Sequence, residues 1–453
     1  MVRISRREWV KYIGTGVGGA IIGGAIGYLL KPAELVERIE TTKVVEKTVS
    51  LTVPTTLTTT VERTITSPVV RKLPKDTIKI GVMGILSGLH ATWGDLLKKG
   101  ALLAAKEINA TGGILGSKVE VIIRDEVADV EKQVRELVDV EKVDFIVGFD
   151  SSSNAMKVGG IVDELGKIII VTHAATHRFT EELVYKMGKK LLFRISVPIY
   201  QDAIFAAYVA KDLPVNRWVG INPDYEFGRV CWSFFTKTLK QLRPDVEFVS
   251  EQWPKLGTED FTPFISAIMG TDGEALYTSE WGVEFAVFYK QFIELGGLKK
   301  FKAIVKASGY PTDMEYEFLW PNYPLPELGF YPNGRYYWGY PPSELNRSFV
   351  EKVRAEYGKR PGYGIETTYS AFYFIKTALE TAVTLDPDVL VKTLEGMVLF
   401  TPAGARWIRP EDHQAIYEVP SGRIVHKPGF EAPVYEELKV LPAWIYYRHP
   451  PFE

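Results

Sequence analysis

One stretch constrains the fold of this chain more than any other: IKIGVMGILSGLHATWGDLLKKGALLAAKEINATGGILGSKVEVIIRD, from Ile78 to Asp125. It reads as strand, loop, amphipathic helix, glycine turn and strand. In the helix, Leu97, Ala101, Ala104 and Ile108 fall on one face while Lys98, Lys99 and Lys106 lie off it, the pattern of a surface helix packed on a sheet. Asn109, Gly112 and Gly113 end it, because these residues enter the left-handed conformation at low cost. The unit is βαβ, so the chain is expected to be α/β, with site residues at the C-terminal ends of parallel strands.

Similar alternation continues through the body. Strands are expected over Thr77–Gly84, Lys118–Asp125, Val143–Gly148 and Lys167–Thr172. A second series is expected over Arg217–Asn222, Glu247–Trp253, Ala275–Ser279 and Phe301–Lys306, with helices between them. Two such sets imply two lobes with a cleft between them, where ligands meet strand ends. A stretch rich in Tyr, Trp, Pro and Gly, 311–342, either covers the cleft or packs on a lobe edge. From Leu399 the tail suits a small final set of strands.

Composition narrows the function. Of 453 residues 46% are hydrophobic, enough for full cores in two or three domains. Lys plus Arg, 54, balances Asp plus Glu, 56, so no nucleic-acid partner is expected; a small molecule or a protein is. Cys231 is the single cysteine, which removes disulfides and cysteine metal sites within the chain. His173 and His177 lack a third ligand in sequence, so neither metal nor other cofactor is expected. The body has no GxSxG, HExxH or GxxxxGK[ST] pattern, and an enzyme is not expected. Gly14, Gly16 and Gly19 spell GxGxxG, but no strand precedes them, so the dinucleotide reading fails.

The N-terminus, 1–30, resembles a twin-arginine export signal: SRREWVKY, Ser5 to Tyr12, precedes an uncharged run to Leu30. That run approaches the roughly 20 residues needed to span a bilayer. No Ala-x-Ala site follows, so a retained membrane anchor and a cleaved signal both remain open. Residues 31–75 read as a Thr/Val-rich stalk, though their alternation also permits a strand.

From Thr77 to about Phe400 the body resembles the extracytoplasmic solute-binding proteins of ABC importers, of the branched-chain amino acid (Leu/Ile/Val) family with the type I periplasmic-binding-protein fold. The residues that carry the likeness are LSGLHATWGD (Leu86–Asp95), GALLAAKEINATGGILG (Gly100–Gly116), SSSNA (Ser151–Ala155), THAATHRFTE (Thr172–Glu181), DYEFGR (Asp224–Arg229), Asp260 with Phe261, and TTYSAFYFIKTALE (Thr367–Glu380). The resemblance implies two Rossmann-like lobes joined by crossings near Val197, Ser308 and Pro402. Lobe one would be 76–197 and 309–401, and lobe two 198–308 and 402–453. It implies permease and ATPase subunits as partners, and a ligand captured by closure of the lobes. A membrane-tethered sensing ectodomain of the same fold is the rival reading.

An amino acid brings a carboxylate and an ammonium into the cleft, and each needs partners in place of water. Ser151, Ser152 and Ser153 follow a strand and open a helix, so they suit the carboxylate or serve as plain caps. Thr176, after Ala174 and Ala175 at the next strand end, offers a hydroxyl and backbone groups. The resemblance assigns the ammonium to an acid of lobe two, with Glu280 and Glu284 both open, and Trp93 to a wall of the pocket or to the core. Phe227 stands where the family usually has Tyr, with Tyr225 two residues earlier; the lost hydroxyl keeps amide, urea-like and aromatic-acid ligands in view.

Overall fold

The computed structural model describes residues 71–307, 322–430 and 432–452. The export-like segment, nearly all of the stalk and 311–321 of the aromatic loop lie outside the described residues.

The first sheet comprises β1 (Thr77–Gly84), β2 (Lys118–Asp125), β3 (Phe145–Gly148), β4 (Ile168–Val171) and β5 (Leu192–Arg194), all parallel, in the order β2-β1-β3-β4-β5. The second comprises β6 (Arg217–Ile221), β7 (Glu247–Gln252), β8 (Ala275–Thr278), β9 (Ala303–Lys306) and β10 (Gly329–Pro332), also parallel, in the order β10-β9-β8-β6-β7. Each sheet thus begins at an inner strand and reverses direction there, β1 in one and β6 in the other. Such a reversal opens a crevice beyond the strand ends.

Both sheets are covered on both faces, which is why β3, β4, β8 and β9 are buried at every position. The helix Ala91–Ala110 buries Leu97, Ala101, Ala104 and Ile108, the stripe visible in the sequence, and packs on β1, β2 and the helix Tyr363–Ala382. The other face of the first sheet carries a separate core around Ile146, Ile169 and Leu137. The second sheet likewise divides two cores, one around Trp218, Phe235 and Tyr277 and one around Phe285, Tyr289 and Phe330.

Two lobe boundaries fall elsewhere than expected. β10 extends the second sheet beside β9, so Gly329–Pro332 belong to lobe two and not, as expected, to lobe one. A proline is tolerated there because β10 is an edge strand whose outer N–H groups need no partner. The tail also divides later. β11 (Val398–Thr401), β12 (Gly404–Ile408) and β13 (Ala415–Ile416) form an antiparallel sheet whose Ala403, Ile408, Ala415 and Tyr417 join the core of lobe one. Only β14 (Pro420–Val425) and β15 (Val434–Val440) side with lobe two, where Ile424 and Tyr435 enter its core. The third crossing therefore lies at Val419–Pro420, not near Pro402.

Candidate functional site

The strand ends of lobe one are shaped by an unusual turn. Gly148 closes β3 at φ +113° with a would-be Cβ only 2.1 Å from the Met83 carbonyl oxygen, so no other residue fits. Phe149 follows at φ 66°, a strained value for a bulky side chain and one that gathers at binding sites. The turn brings Asp150 and Ser151 against Glu126, whose Oε1 accepts from both backbone N–H groups at 2.7 and 2.9 Å. Burial, and then the charge of Asp150, push the Glu126 carboxyl up to about 8. Ser151 caps the helix Ser152–Gly160 through the Asn154 N–H at 3.2 Å. Ser152 Oγ accepts from the Thr176 N–H at 3.2 Å, while Ser153 is exposed in the first helical turn.

Thr176 is wholly buried and joins the lobes: its hydroxyl donates to Glu226 Oε1 at 2.8 Å. Ala174 and Ala175, both buried, hold the approach to it, with the Ala174 N–H on the Phe149 carbonyl and the Ala175 carbonyl taking the Ile199 N–H. Immediately beyond, Phe179–Lys186 is wound as a π-helix, a form that often marks functional sites.

A second junction is aromatic. Trp93 is 6% exposed, stacks on His173 at 5.3 Å and meets Trp281 edge-on at 6.0 Å. Trp281 also lies 4.8 Å from the His90 ring and donates through Nε1 to Tyr225 Oη at 2.8 Å. His173 Nδ1 stands 2.8 Å from Asp150 Oδ1, at ion-pair distance but not aligned as a hydrogen bond. Phe227 turns into the core of lobe two beside Cys231 and Trp232, with one face toward Tyr225.

Glu280 and Glu284 are 3% and 4% exposed beneath this aromatic rim. Glu284 Oε1 accepts from the Gly257 N–H at 3.2 Å and lies 3.8 Å from His90 Nε2. Glu280 Oε1 and Glu284 Oε2 have no hydrogen-bond partner among the described residues. Burial, and then the charge of Glu284, raise the Glu280 carboxyl to about 8, against an opposing pull from Lys306. A pair of sequestered acids with unshared oxygens is suited to a cation or a donor-rich group. Among the described residues, no three His, Cys, Asp or Glu side chains converge as metal ligands, and no helix is long and apolar enough to cross a membrane.

The family model for periplasmic binding protein matches residues 77–427. The chain belongs to that family. These are exported binding proteins that serve transporters, and the two-lobed fold is theirs. This periplasmic binding protein is similar to the leucine-, isoleucine-, valine-, threonine- and alanine-binding protein of Pseudomonas aeruginosa, at 23% identity over 73% of this chain and 85% of the relative. It is 27% identical to Leu/Ile/Val-binding protein homolog 6 of Brucella abortus, over 74% and 84%. Among solved structures, an ABC-transporter solute-binding protein of Rhodopseudomonas palustris, in complex with 3,4-dihydroxybenzoic acid, superimposes with TM-score 0.72 at 23% identity, covering 82% of this chain and 98% of that one. An ABC-transporter substrate-binding protein from Sphaerobacter thermophilus gives 0.71 at 25% identity, over 81% and 98%.

Of the residues named from sequence, Trp93 and Tyr225 both meet Trp281, Ser152 meets Thr176, Glu284 lies beside His90, and Phe227 sits in the core of lobe two. Sequence reasoning did not name Glu126, Glu226, His90 or Trp281 for the site, and met His173 only in setting a metal aside. Glu126 directly follows β2 and Trp281 is the third residue after Thr278, the end of β8, so position at a strand end was their available signal.

Proposed function

We propose that this protein is the solute receptor of an ABC importer and captures an amino acid, branched-chain or related, by closing its lobes. The observation that carries this reading is the pair of buried acids, Glu280 and Glu284, each with an unshared oxygen beneath the Trp93–Trp281 contact between the lobes. An α-ammonium would answer both their charge and their missing donors. The carboxylate would lie across the cleft at Ser152, Ser153 and Thr176, where the start of the helix Ser152–Gly160 favours negative charge. The names of the Pseudomonas and Brucella relatives support the same ligand class.

A second reading is an aromatic acid, supported by the parallel Trp93–His173 rings and by the dihydroxybenzoate complex of the Rhodopseudomonas neighbour. Two buried carboxylates disfavour a ligand whose sole charge is negative, so the amino acid comes first. In either reading the N-terminal 75 residues would export the protein and tether it, and a permease with its ATPases would receive the closed form.

Calorimetric titration with leucine, isoleucine, valine, phenylalanine, small amides and 4-hydroxybenzoate tests the proposal. Heat from at least one aliphatic amino acid is expected. Binding of 4-hydroxybenzoate alone would select the second reading, and silence across the panel by ligand-free protein would remove both.

A further inference from the structure

Arg194 ends β5 and is wholly buried, yet among the described residues no carboxylate stands within ion-pair distance of its guanidinium. Nε donates to Gln414 Oε1 at 2.6 Å, Nη2 to Thr180 Oγ1 at 3.1 Å, and Nη1 to the Thr176 carbonyl oxygen. The nearby acids are held by other arginines: Glu181 by Arg448 and Asp412 by Arg409, each at 2.7 Å. A buried cation served only by neutral acceptors costs several kcal/mol relative to an apolar side chain of similar volume. Packing alone therefore gives no reason for an arginine here.

Its surroundings supply one. Thr176, which Arg194 holds by the carbonyl, is the residue whose N–H reaches Ser152 and whose hydroxyl reaches Glu226 of lobe two. Gln414, on the other side of the guanidinium, donates to the carbonyls of Ser196 and Ala415, on the two chain segments that approach the first and third crossings. Arg194 thus ties the cleft edge to the hinge.

We infer that Arg194 is a positioning residue for ligand capture: it fixes the Thr176 turn and sets a buried positive charge behind the edge of lobe one that receives the anionic group of the ligand. The inference rests on the proposed reading of that edge, and both candidate ligand classes carry a carboxylate. A positive charge one peptide group behind the site favours an anion there without touching it, because the interior screens weakly.

The test compares the full chain with its Arg194→Gln and Arg194→Lys variants, titrated with leucine, leucinamide, 4-hydroxybenzoate and 4-hydroxybenzamide. Arg194→Gln is expected to weaken the acid by about tenfold or more and its amide by no more than about threefold, and Arg194→Lys to recover most of the loss, since charge-assisted interactions are the stronger kind. A purely structural arginine would lower the melting temperature and weaken acid and amide alike; equal losses, or none, overturn the inference. Should the wild-type chain bind neither acid, the functional reading fails separately. Hydrogen exchange at the Thr176 and Phe179 amides, bonded to Ser152 Oγ and to the Thr176 carbonyl, then decides: it quickens in Arg194→Gln and not in Arg194→Lys if the turn depends on the charge, and equal rates overturn the inference.

Discussion

Glu280 shows how much one side chain can report. Its carboxyl is raised to about 8 by burial and then by Glu284. Below its ordinary value of 4.5 it is neutral in both the unfolded and the folded chain, and its burial then carries no charge penalty. As pH rises from there through about 8, the unfolded chain gives up a proton that the folded chain retains, so stability is progressively lost. Glu126, also raised to about 8 by burial and by Asp150, acts in the same sense. The melting temperature of the ligand-free protein should therefore fall between about pH 5 and pH 8, and Glu280→Gln should remove part of that fall. An ammonium ligand works in the opposite direction, because pairing lowers the raised value. Binding at neutral pH should release protons, read as an enthalpy that depends on the buffer, and Glu280→Gln should abolish the release. A wild-type enthalpy independent of buffer would place the ammonium elsewhere.

At the scale of elements, the β1–helix–β2 unit was legible because its apolar spacing is set by packing on a sheet: the expected strands Thr77–Gly84 and Lys118–Asp125 are those observed. β5 and β10 were not. β5, three residues long, leaves no periodic trace, and β10 ends in a proline within an aromatic loop. The site divides in the same way. Trp93, Glu280 and Thr176 stand beyond strand ends and could be named from one segment, whereas Glu226 matters only because Thr176 lies across the cleft from it. No local motif announces that Glu126 takes the backbone N–H groups of Asp150 and Ser151. The rim element has a sharp test at Gly94, whose would-be Cβ lies 2.2 Å from the Ile85 carbonyl oxygen. Backbone cannot yield there as a flexible side chain would, so Gly94→Ala should cost about 1–3 kcal/mol and move Trp93 from His173. Denaturant unfolding and tryptophan fluorescence measure the two effects. Gly88→Ala is the control: nothing lies within 4 Å of its Cβ, and only the φ of +75° opposes it. Equal losses at the two positions would refute the steric account.

For the whole molecule the question is what balances the open and closed arrangements. Ligand shifts that balance only by the contacts it makes in one state and not the other, so contacts between lobes that do not involve ligand set the starting point. The rim supplies Thr176–Glu226, Trp93–Trp281 and His90–Glu284. The tail supplies another set, behind the Thr176 turn. Arg448 donates through Nη1 to Glu181 Oε2 of lobe one at 2.7 Å, and its guanidinium lies 5.6 Å from the ring of Tyr200, on the helix that enters lobe two, and 5.9 Å from that of Phe234, on a helix within it. Burial raises the Glu181 carboxyl to about 7 with Arg448 as the largest opposing influence, so removing the arginine would leave that acid buried and poorly compensated. Arg448→Ala should therefore disfavour closure by about 1–2 kcal/mol, through the lost ion pair and ring contacts. Because every residue proposed to touch ligand is left in place, affinity should fall by about five- to thirtyfold as a smaller fraction of molecules reaches the closed state. The ligand-free variant should scatter X-rays as a more expanded particle than the wild-type chain, and saturating ligand should bring the two to the same dimensions. An unchanged affinity with an unchanged radius would show that the tail only packs on the lobes and leaves their closure to the rim.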